Sequence, residues 1–321
     1  MGGAHVALAE DVSAGYWNAA GLHRLAYPEA AYMHAERFAG VVSFDYGSVA
    51  FPINSRSTFG IAFFRSGVND IKNTLDAWDP ERDQPRPNPE DHISSFSAAD
   101  LAFYLSYSRA VRSNFAVGVS GKIIRRKIGD FADAWGYSFD VGAQYRVGQF
   151  LLGANLQDAA SMRQSWSVNQ EKLQNIEDVF GEELPQGGVE VVLPVARLGS
   201  GYVLEFGDSQ FIAGLDMDLA FDGQRSYAMN MGDISFHPRV GTEYSYKGIV
   251  ALRAGLANVG KSDRYGWNAT PTVGAGLRLR QLSVDYGFGD FAGLASDLGY
   301  SHRISARLTL ARTAWERASG E

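Results

Sequence analysis

Apolar and polar residues alternate along most of this 321-residue chain. In the stretch 210–221, apolar residues such as Phe211 and Leu215 occupy every second position. Residues such as Gly214 and Asp216 occupy the alternate positions. Successive side chains of a β-strand point to opposite faces, so this spacing predicts strands with one apolar and one polar face. The repeated pattern predicts an all-β fold.

The composition of the polar face distinguishes between two all-β architectures. It is dominated by Gly, Ser, Asp and Arg, a mixture that suits a crowded, wet interior better than the exposed face of a soluble sandwich. The opposite face carries bulky aliphatic and aromatic residues almost without charge, as the lipid-facing band of a membrane barrel does. No apolar run approaches the roughly 18 residues that a spanning helix needs. A membrane protein built from this chain is therefore expected to be a barrel.

The alternation marks about 14 candidate strands, most of them long enough to cross a bilayer when tilted. Connections after even-numbered strands are tight turns such as Arg112-Ser113 and Lys247-Gly248, whereas those after odd-numbered strands include long loops. Short turns on one rim, long loops on the other and an even strand number are typical of bacterial outer-membrane barrels. The chain is thus predicted to be a transmembrane antiparallel β-barrel. The predicted strands are 30–38, 41–52, 57–66, 99–110, 114–126, 135–147, 149–157, 193–206, 210–221, 237–247, 249–258, 270–280, 281–289 and 295–310.

Two predicted loops contain local information. Residues 76–91 are rich in Pro and charge, which predicts an exposed excursion. Residues 171–183 place apolar side chains, Leu173 and Phe180 among them, at helical spacing. They predict a short amphipathic helix that either covers the barrel mouth as a lid or packs on its rim.

Charged residues on the polar face are expected to share the lumen. Buried charges must pair or stay hydrated, so these residues either brace the wall and hold an inner segment or offer a binding site. In the second case, the Arg excess on the last strands, including Arg253 and Arg278, would bind a carboxylate headgroup or an acidic segment of a partner. The expected lumen charges are Asp140, Arg197, Glu205, Asp216, Asp218, Arg239, Glu243, Arg253, Arg278, Asp285, Arg303 and Arg307.

Several kinds of function are disfavoured by composition and motif. A net charge of -7 without a basic stripe argues against nucleic-acid binding. The absence of Cys excludes thiol catalysis and disulfides. The six His residues show no zinc-binding spacing, no G-x-S-x-G motif is present, and His302 is expected near the periplasmic interface instead. The sequence therefore predicts a non-enzymatic protein without a cofactor or metal.

The first 27 residues differ from the rest, because they are rich in small residues, turn-prone and only moderately apolar. A lumen of about 14 strands is wider than that of an eight-stranded barrel, which side chains fill, so a plug is expected there. Residues 1–3 lack the basic start of a signal peptide and the apolar core that would follow it, which favours a mature or trimmed chain with the signal peptide removed.

This segment resembles the signature of the PorV/PorQ family and of the related FadL-type outer-membrane proteins, G-G-A-x-V-A-x-A-x-D-x-S-A-x-Y-W-N-P-A-G-L. Ala19 stands where the family usually has Pro. Similar family elements recur in order at 241–244, 251–255, 284–286 and 299–305. The matching residues proposed for the plug are Gly2, Gly3, Ala4, Asp11, Ser13, Tyr16, Trp17, Asn18, Gly21 and Leu22.

The resemblance implies a FadL-like barrel in the bacterial outer membrane, with a hatch at 1–27, the barrel at 28–311 and a tail at 312–321. PorV-type members are non-enzymatic adaptors of type IX secretion that receive exported proteins, whereas FadL-type members pass long-chain fatty acids or other hydrophobic compounds. Chain length favours the adaptor. The transporter is the alternative, and a soluble β-rich binding protein is a distant third. The partners implied are outer-membrane lipid, with secretion-system or surface proteins for the adaptor and a hydrophobic small molecule for the transporter.

Overall fold

The computed structural model describes residues 1–79, 81–173, 186–221, 228–262, 266–289 and 299–310. Within these ranges, fourteen antiparallel strands form the wall of a closed barrel, in which each strand pairs with the next and the last pairs with the first. The strands are β1 Glu29–Arg37, β2 Val42–Asn54, β3 Ser57–Asn73, β4 Ser94–Arg112, β5 Phe115–Ile128, β6 Ala132–Val147, β7 Phe150–Gln157, β8 Val195–Phe206, β9 Ser209–Ala220, β10 Ile234–Tyr246, β11 Val250–Ser262, β12 Gly266–Leu279, β13 Leu282–Gly289 and β14 Ser301–Thr309.

The two faces of the wall differ as the alternation predicts. In β4 the outward-facing Leu105 is 55 % exposed, whereas the neighbouring Ser106 and Ser108 are 2 % and 0 % exposed. Most outward positions carry bulky apolar residues, and most inward positions carry small or polar residues. The predicted membrane barrel, with about 14 strands and tight turns on one rim, is therefore confirmed. At the tight turns, Gly148 and Gly207 both have φ of 58°, which glycine adopts without strain.

Two expectations about the strands are wrong in detail. The loop expected at 67–98 is shorter, because β3 and β4 continue to pair beyond an irregularity between Val68 and Ile71. A bulge adds a residue and shifts the alternation out of phase, so the pattern was lost there. His302 is the second residue of β14 and lies at the long-loop end, so it is not at the short-turn rim.

The wall is interrupted beside β6. β7 and a short strand, Met162–Val168, both pair with β6 and are separated by residues 158–161. From Leu156 to Arg163 the chain advances seven residues, while the partner strand advances four, from Val141 to Tyr137. Three extra residues therefore leave the plane of the wall at this point. On its other side, the short strand Met162–Val168 pairs with Val189–Val192, a four-residue strand that precedes β8 in the chain.

The loops contain few regular elements. In the Pro-rich loop, Trp78–Asp79 pairs with Gln84–Pro85, flanked by the 3-10 helices Leu75–Ala77 and Pro89–His92. A three-residue strand, Met229–Met231, pairs with β10. Most of the helix predicted at 171–183, and the whole tail predicted at 312–321, lie outside the described residues. No helix within the described ranges is long and apolar enough to cross a membrane.

Candidate functional site

The N-terminal segment lies inside the barrel, where it forms helix α1, Ala14–Trp17, and a 3-10 helix, Ala19–Arg24. We call residues 1–25 the hatch. It contacts inward-facing wall residues that lie within seven positions of a short turn, including Gly60, Ser108, Gly153, Asp216 and Gly255. The hatch therefore fills the half of the lumen next to the short turns.

Glycines on the inward face let the hatch backbone approach the wall. A Cβ on Gly118 would lie 2.3 Å from the Ala20 amide nitrogen, and a Cβ on Gly153 would lie 2.5 Å from the Val6 carbonyl oxygen. Neither neighbour can move away cheaply, because both belong to the hatch backbone. The small-residue face that the sequence shows is thus the docking surface of the hatch.

Asn18 ties the hatch to the wall and to itself. Its side chain is buried, and its amide nitrogen donates towards the carbonyl oxygens of Val6 at 3.0 Å and Ala143 at 3.1 Å. Its side-chain oxygen accepts from the amide of Ala20 at 3.2 Å, which caps the 3-10 helix. From the wall, the Gln144 side chain donates to Val6 and Ala9 carbonyls.

The other predicted plug residues also have structural roles in the hatch. Ser13 donates from its amide and hydroxyl to the carboxylate of Asp11, and Leu22 is buried against Gly60. Gly21 packs so closely that a Cβ would lie 2.0 Å from the Ala9 carbonyl oxygen. Ala4 is fully buried, the Gly2 amide donates to the Thr272 hydroxyl at 3.1 Å, and the Gly3 carbonyl accepts from Arg239 at 3.2 Å.

Charged side chains of the wall form hydrogen bonds with backbone amides of the hatch and an ion pair with a hatch carboxylate. Asp216 accepts hydrogen bonds from the amides of His5 at 2.7 Å and Val6 at 2.9 Å. Arg307 forms an ion pair with Asp11 at 2.7 Å. These contacts favour the bracing role for the charges near the hatch.

Most of the remaining predicted lumen charges pair with one another. Arg253 lies between Glu243 and Asp285, and Asp218 contacts both Arg197 and Arg239. Arg278 donates to the Ser283 hydroxyl at 3.3 Å, and Glu205 accepts from Gln210 at 3.4 Å near the short-turn rim. Arg253 is thus satisfied by two carboxylates, which weakens its case as a headgroup site.

Arg303 differs from these residues. It points into the lumen and remains accessible to solvent, and it has no ion pair among the described residues. Its guanidinium group is charged at neutral pH, because an arginine stays protonated in proteins. It is the predicted lumen charge with the strongest case for contacting a ligand.

Two partners of Asp140, Lys122 and Asp158, are absent from the predicted lumen charges. The Lys122 ammonium lies 2.7 Å from Asp140 and 2.5 Å from Asp158, and the Asp158 amide donates to Asp140 at 2.8 Å. Lys122 follows Gly118 and Ser120 on the inward face of β5, so the alternation that identified Asp140 could also have identified it. Asp158 lies in the wall interruption, where alternation carries no information. We call Lys122, Asp140 and Asp158 the wall ion network.

Aromatic side chains line the lumen beyond the hatch. Tyr16, at the hatch surface, stacks with Phe64 at 5.7 Å between ring centroids and meets Tyr46 at 6.0 Å and Tyr104 at 6.2 Å. Phe44 lies 5.8 Å from Phe64. We call these five residues the lumen aromatic cluster. Its four wall members lie seven to ten positions from a short turn, on the long-loop side of the hatch.

Two hatch side chains have shifted acidities. Burial in the lumen lowers the pKa of His5 from 6.5 to about 4, and its ring lies 5.2 Å from that of Trp17. For Asp11, burial alone would raise the pKa, but Arg307 and the hydrogen bonds from Ser13 outweigh it, so the pKa is lowered from 3.8. The docked hatch therefore favours neutral His5 and ionised Asp11.

His5 is expected to make hatch docking weaken between pH 6.5 and pH 4. A detached hatch binds a proton near the ordinary His value, whereas the docked hatch resists protonation until about pH 4, so docking loses free energy as pH falls through this window. The free energy of docking that is lost in this window is at most about 3 kcal/mol. Asp11 does not affect this pH window. Its lowered pKa stabilises docking at every pH above the ordinary carboxyl pKa, and this stabilisation is lost only as the pH falls below that value.

Hydrogen exchange of residues 1–25, corrected for the intrinsic rate, measures this loss at about pH 7 and pH 5. His5→Phe keeps a ring against Trp17 but cannot titrate, so its loss of hatch protection between the two values should be smaller than that of the native chain, and the remainder should come from the Met1 amino group, whose pKa burial lowers from 8.0 to about 6. An undiminished pH dependence in His5→Phe would assign the effect to another group.

Comparisons with known proteins agree on the fold. No family model and no curated protein matches the sequence. Among solved structures, the toluene transporter TbuX of Ralstonia pickettii has a TM-score of 0.58 at 12% identity, covering 97% of this chain and 96% of that one. The monoaromatic hydrocarbon channel CymD gives 0.57 at 12% identity, covering 96% and 95%. A FadL homologue of Pseudomonas aeruginosa gives 0.53 at 14% identity, covering 95% and 96%.

These structures define the class of fold. The chain forms a closed antiparallel barrel of fourteen strands whose structural neighbours are FadL-type outer-membrane proteins. The neighbours are transporters and channels. None of them supports the PorV/PorQ assignment that the N-terminal segment suggested.

Proposed function

We propose that this chain is an outer-membrane channel for small hydrophobic compounds. The observation that carries the proposal is the lumen aromatic cluster, which places four wall rings above Tyr16 of the hatch. Aromatic side chains bind apolar and aromatic solutes through buried area and ring contacts. A compound entering from the long-loop side would meet this surface before it meets the hatch.

The fold and the wall support this location and role. Short turns and chain termini face the periplasm in bacterial outer-membrane barrels, so the hatch would close the periplasmic half of the lumen. Structural neighbours named as toluene transporters and as a monoaromatic hydrocarbon channel share the barrel. This likeness of fold supports the proposal, and the lumen aromatic cluster adds the evidence that is specific to this chain.

The comparisons favour the transporter over the secretion adaptor. The adaptor interpretation rests on the N-terminal resemblance and on chain length. The lumen aromatic cluster has an evident use in a channel for apolar solutes, whereas an adaptor that binds exported proteins at its rim does not require it. Co-purification of large exported proteins from native membranes would be the observation in favour of the adaptor.

Uptake of toluene by cells that lack other hydrocarbon channels tests the proposal. Expression of this chain should raise the uptake rate, and Phe64→Ala should reduce that gain roughly three- to tenfold, since an aromatic contact contributes about 0.5–1.5 kcal/mol beyond its buried area. Phe96→Ala is the matched control, because Phe96 pairs with Phe131 outside the lumen aromatic cluster.

Uptake of a second compound, a long-chain fatty acid, shows whether the channel carries acidic as well as neutral compounds. If fatty acids are carried, Arg303→Gln should lower the uptake of a long-chain fatty acid and leave toluene uptake unchanged. Toluene and fatty-acid uptake that are the same with and without the chain would reject the channel.

A further inference from the structure

The outer face of β5 changes from apolar to basic along its length. From Phe115 to Ile123 the strand rises about 26 Å, which the tilt of a barrel strand reduces to roughly 20 Å of height. This is close to the apolar band of about 25 Å in outer-membrane barrels. The residues beyond Ile123 therefore reach the level of the outer-leaflet headgroups. The outward positions are Phe115, Val117, Val119, Gly121, Ile123, Arg125 and Lys127.

Neighbouring strands extend this basic region sideways. Arg125 pairs in register with Trp135, and Tyr137 pairs with Arg163 of the short strand Met162–Val168. Trp135 and Tyr137 are 53 % and 65 % exposed on the outer face. We call Arg125, Lys127, Trp135, Tyr137 and Arg163 the outer basic patch.

Among the residues that the structure describes, two guanidinium groups of the patch have no carboxylate partner. Lys127 lies 3.5 Å from Asp130 and opposite Asp133 in the strand register, so the positive charge available to a ligand comes from the two Arg residues. Arg125 stacks over Trp135, with its guanidinium carbon 5.1 Å from the ring centroid, and neither Arg125 nor Arg163 forms an ion pair among the described residues. Arg presents a planar fork of donors that matches phosphate oxygens. The patch thus offers phosphate-binding groups on the lipid-facing side of the wall.

A depression lies in the apolar wall below the patch. A Cβ on Gly121 would meet no atom within 4 Å. Gly121 is flanked in register by Leu105 and Phe139, which are both exposed on the outer face. The missing side chain leaves room for an acyl chain between these two residues, on the same face as Arg125.

We propose that the outer basic patch binds the phosphorylated headgroup of an outer-leaflet lipid, with one of its acyl chains seated over Gly121. The patch supplies charge at headgroup height, and the depression supplies an apolar contact at acyl-chain height. The inference depends on the outer-membrane location and is independent of what passes through the lumen.

Native mass spectrometry of the full chain in detergent, titrated with bisphosphorylated lipid A, tests the proposal. Arg125→Gln with Arg163→Gln should weaken binding about tenfold or more, because hydrogen bonds to charged groups are among the stronger ones. Arg109→Gln is the matched control: Arg109 is an exposed outward residue of β4 near the short-turn rim, and its loss should have no effect. Dephosphorylated lipid A should bind the native chain as weakly as lipid A binds the double variant.

The heat-modifiable shift on a gel shows whether the double variant is folded. If it is not, two further measurements test the proposal. Gly121→Leu fills the depression without changing charge and should also weaken lipid A binding. Inorganic phosphate at the same concentration should not displace the lipid. Equal binding of lipid A with and without its phosphates, or displacement by inorganic phosphate, would overturn the proposal.

Discussion

Gly118→Leu is expected to open the lumen to ions and to give stepwise currents in a planar bilayer, whereas the native chain should give none. Any side chain on Gly118 would collide with the backbone of Ala19 and Ala20. β5 is hydrogen-bonded to a strand on each side, so the hatch has to move rather than the wall. Such overpacking costs about 1–3 kcal/mol, and the loosened hatch would leave a lumen too wide for side chains to fill.

Gly121→Leu is the matched control for this experiment. Gly121 belongs to the same strand but faces outward into open space, so its replacement leaves the hatch contacts intact. The control should stay closed, and both variants should keep the heat-modifiable mobility of a folded barrel. A closed Gly118→Leu channel would mean that the hatch does not seal the lumen.

The wall could be predicted from sequence because its physical cause is local. Each strand must present one face to lipid and one to the lumen, so every residue carries its own evidence of orientation. The predicted and observed strands differ mainly where this local pattern fails, as in β3, which continues past Val68, and at the interruption around Asp158. An extra residue changes the phase, and nothing in the alternation signals it.

The contacts of the hatch could not be predicted in the same way. The small residues of the polar face indicated a crowded interior, but the identity of the hatch atoms against Gly118 and Gly153 depends on residues more than 90 positions apart in the chain. Lys122 shows an intermediate case, since its orientation follows from alternation while its partner Asp158 does not. Orientation is local, whereas pairing is a property of the closed barrel.

Lys122→Met is expected to lower the free energy of unfolding by about 3–5 kcal/mol, the usual cost of removing one partner from a buried ion pair. The side chain of Lys122 is only 3% exposed and contacts both Asp140 and Asp158. Without it, two buried carboxylates face each other at the interruption of the wall. Urea unfolding measures the loss, and hydrogen exchange should show that residues 155–165 open first.

Lys127→Met supplies the control on the same strand. Lys127 is exposed and pairs with the exposed Asp130 at 3.5 Å, so its loss should cost at most about 1 kcal/mol. Adding Asp140→Asn and Asp158→Asn to Lys122→Met should recover most of the stability, because the buried groups are then neutral. If Lys122→Met costs no more than Lys127→Met, the wall ion network does not stabilise the interruption, and the hydrogen bonds from the amides of Asp158 and Ala159 to β6 would have to hold the extra residues in place.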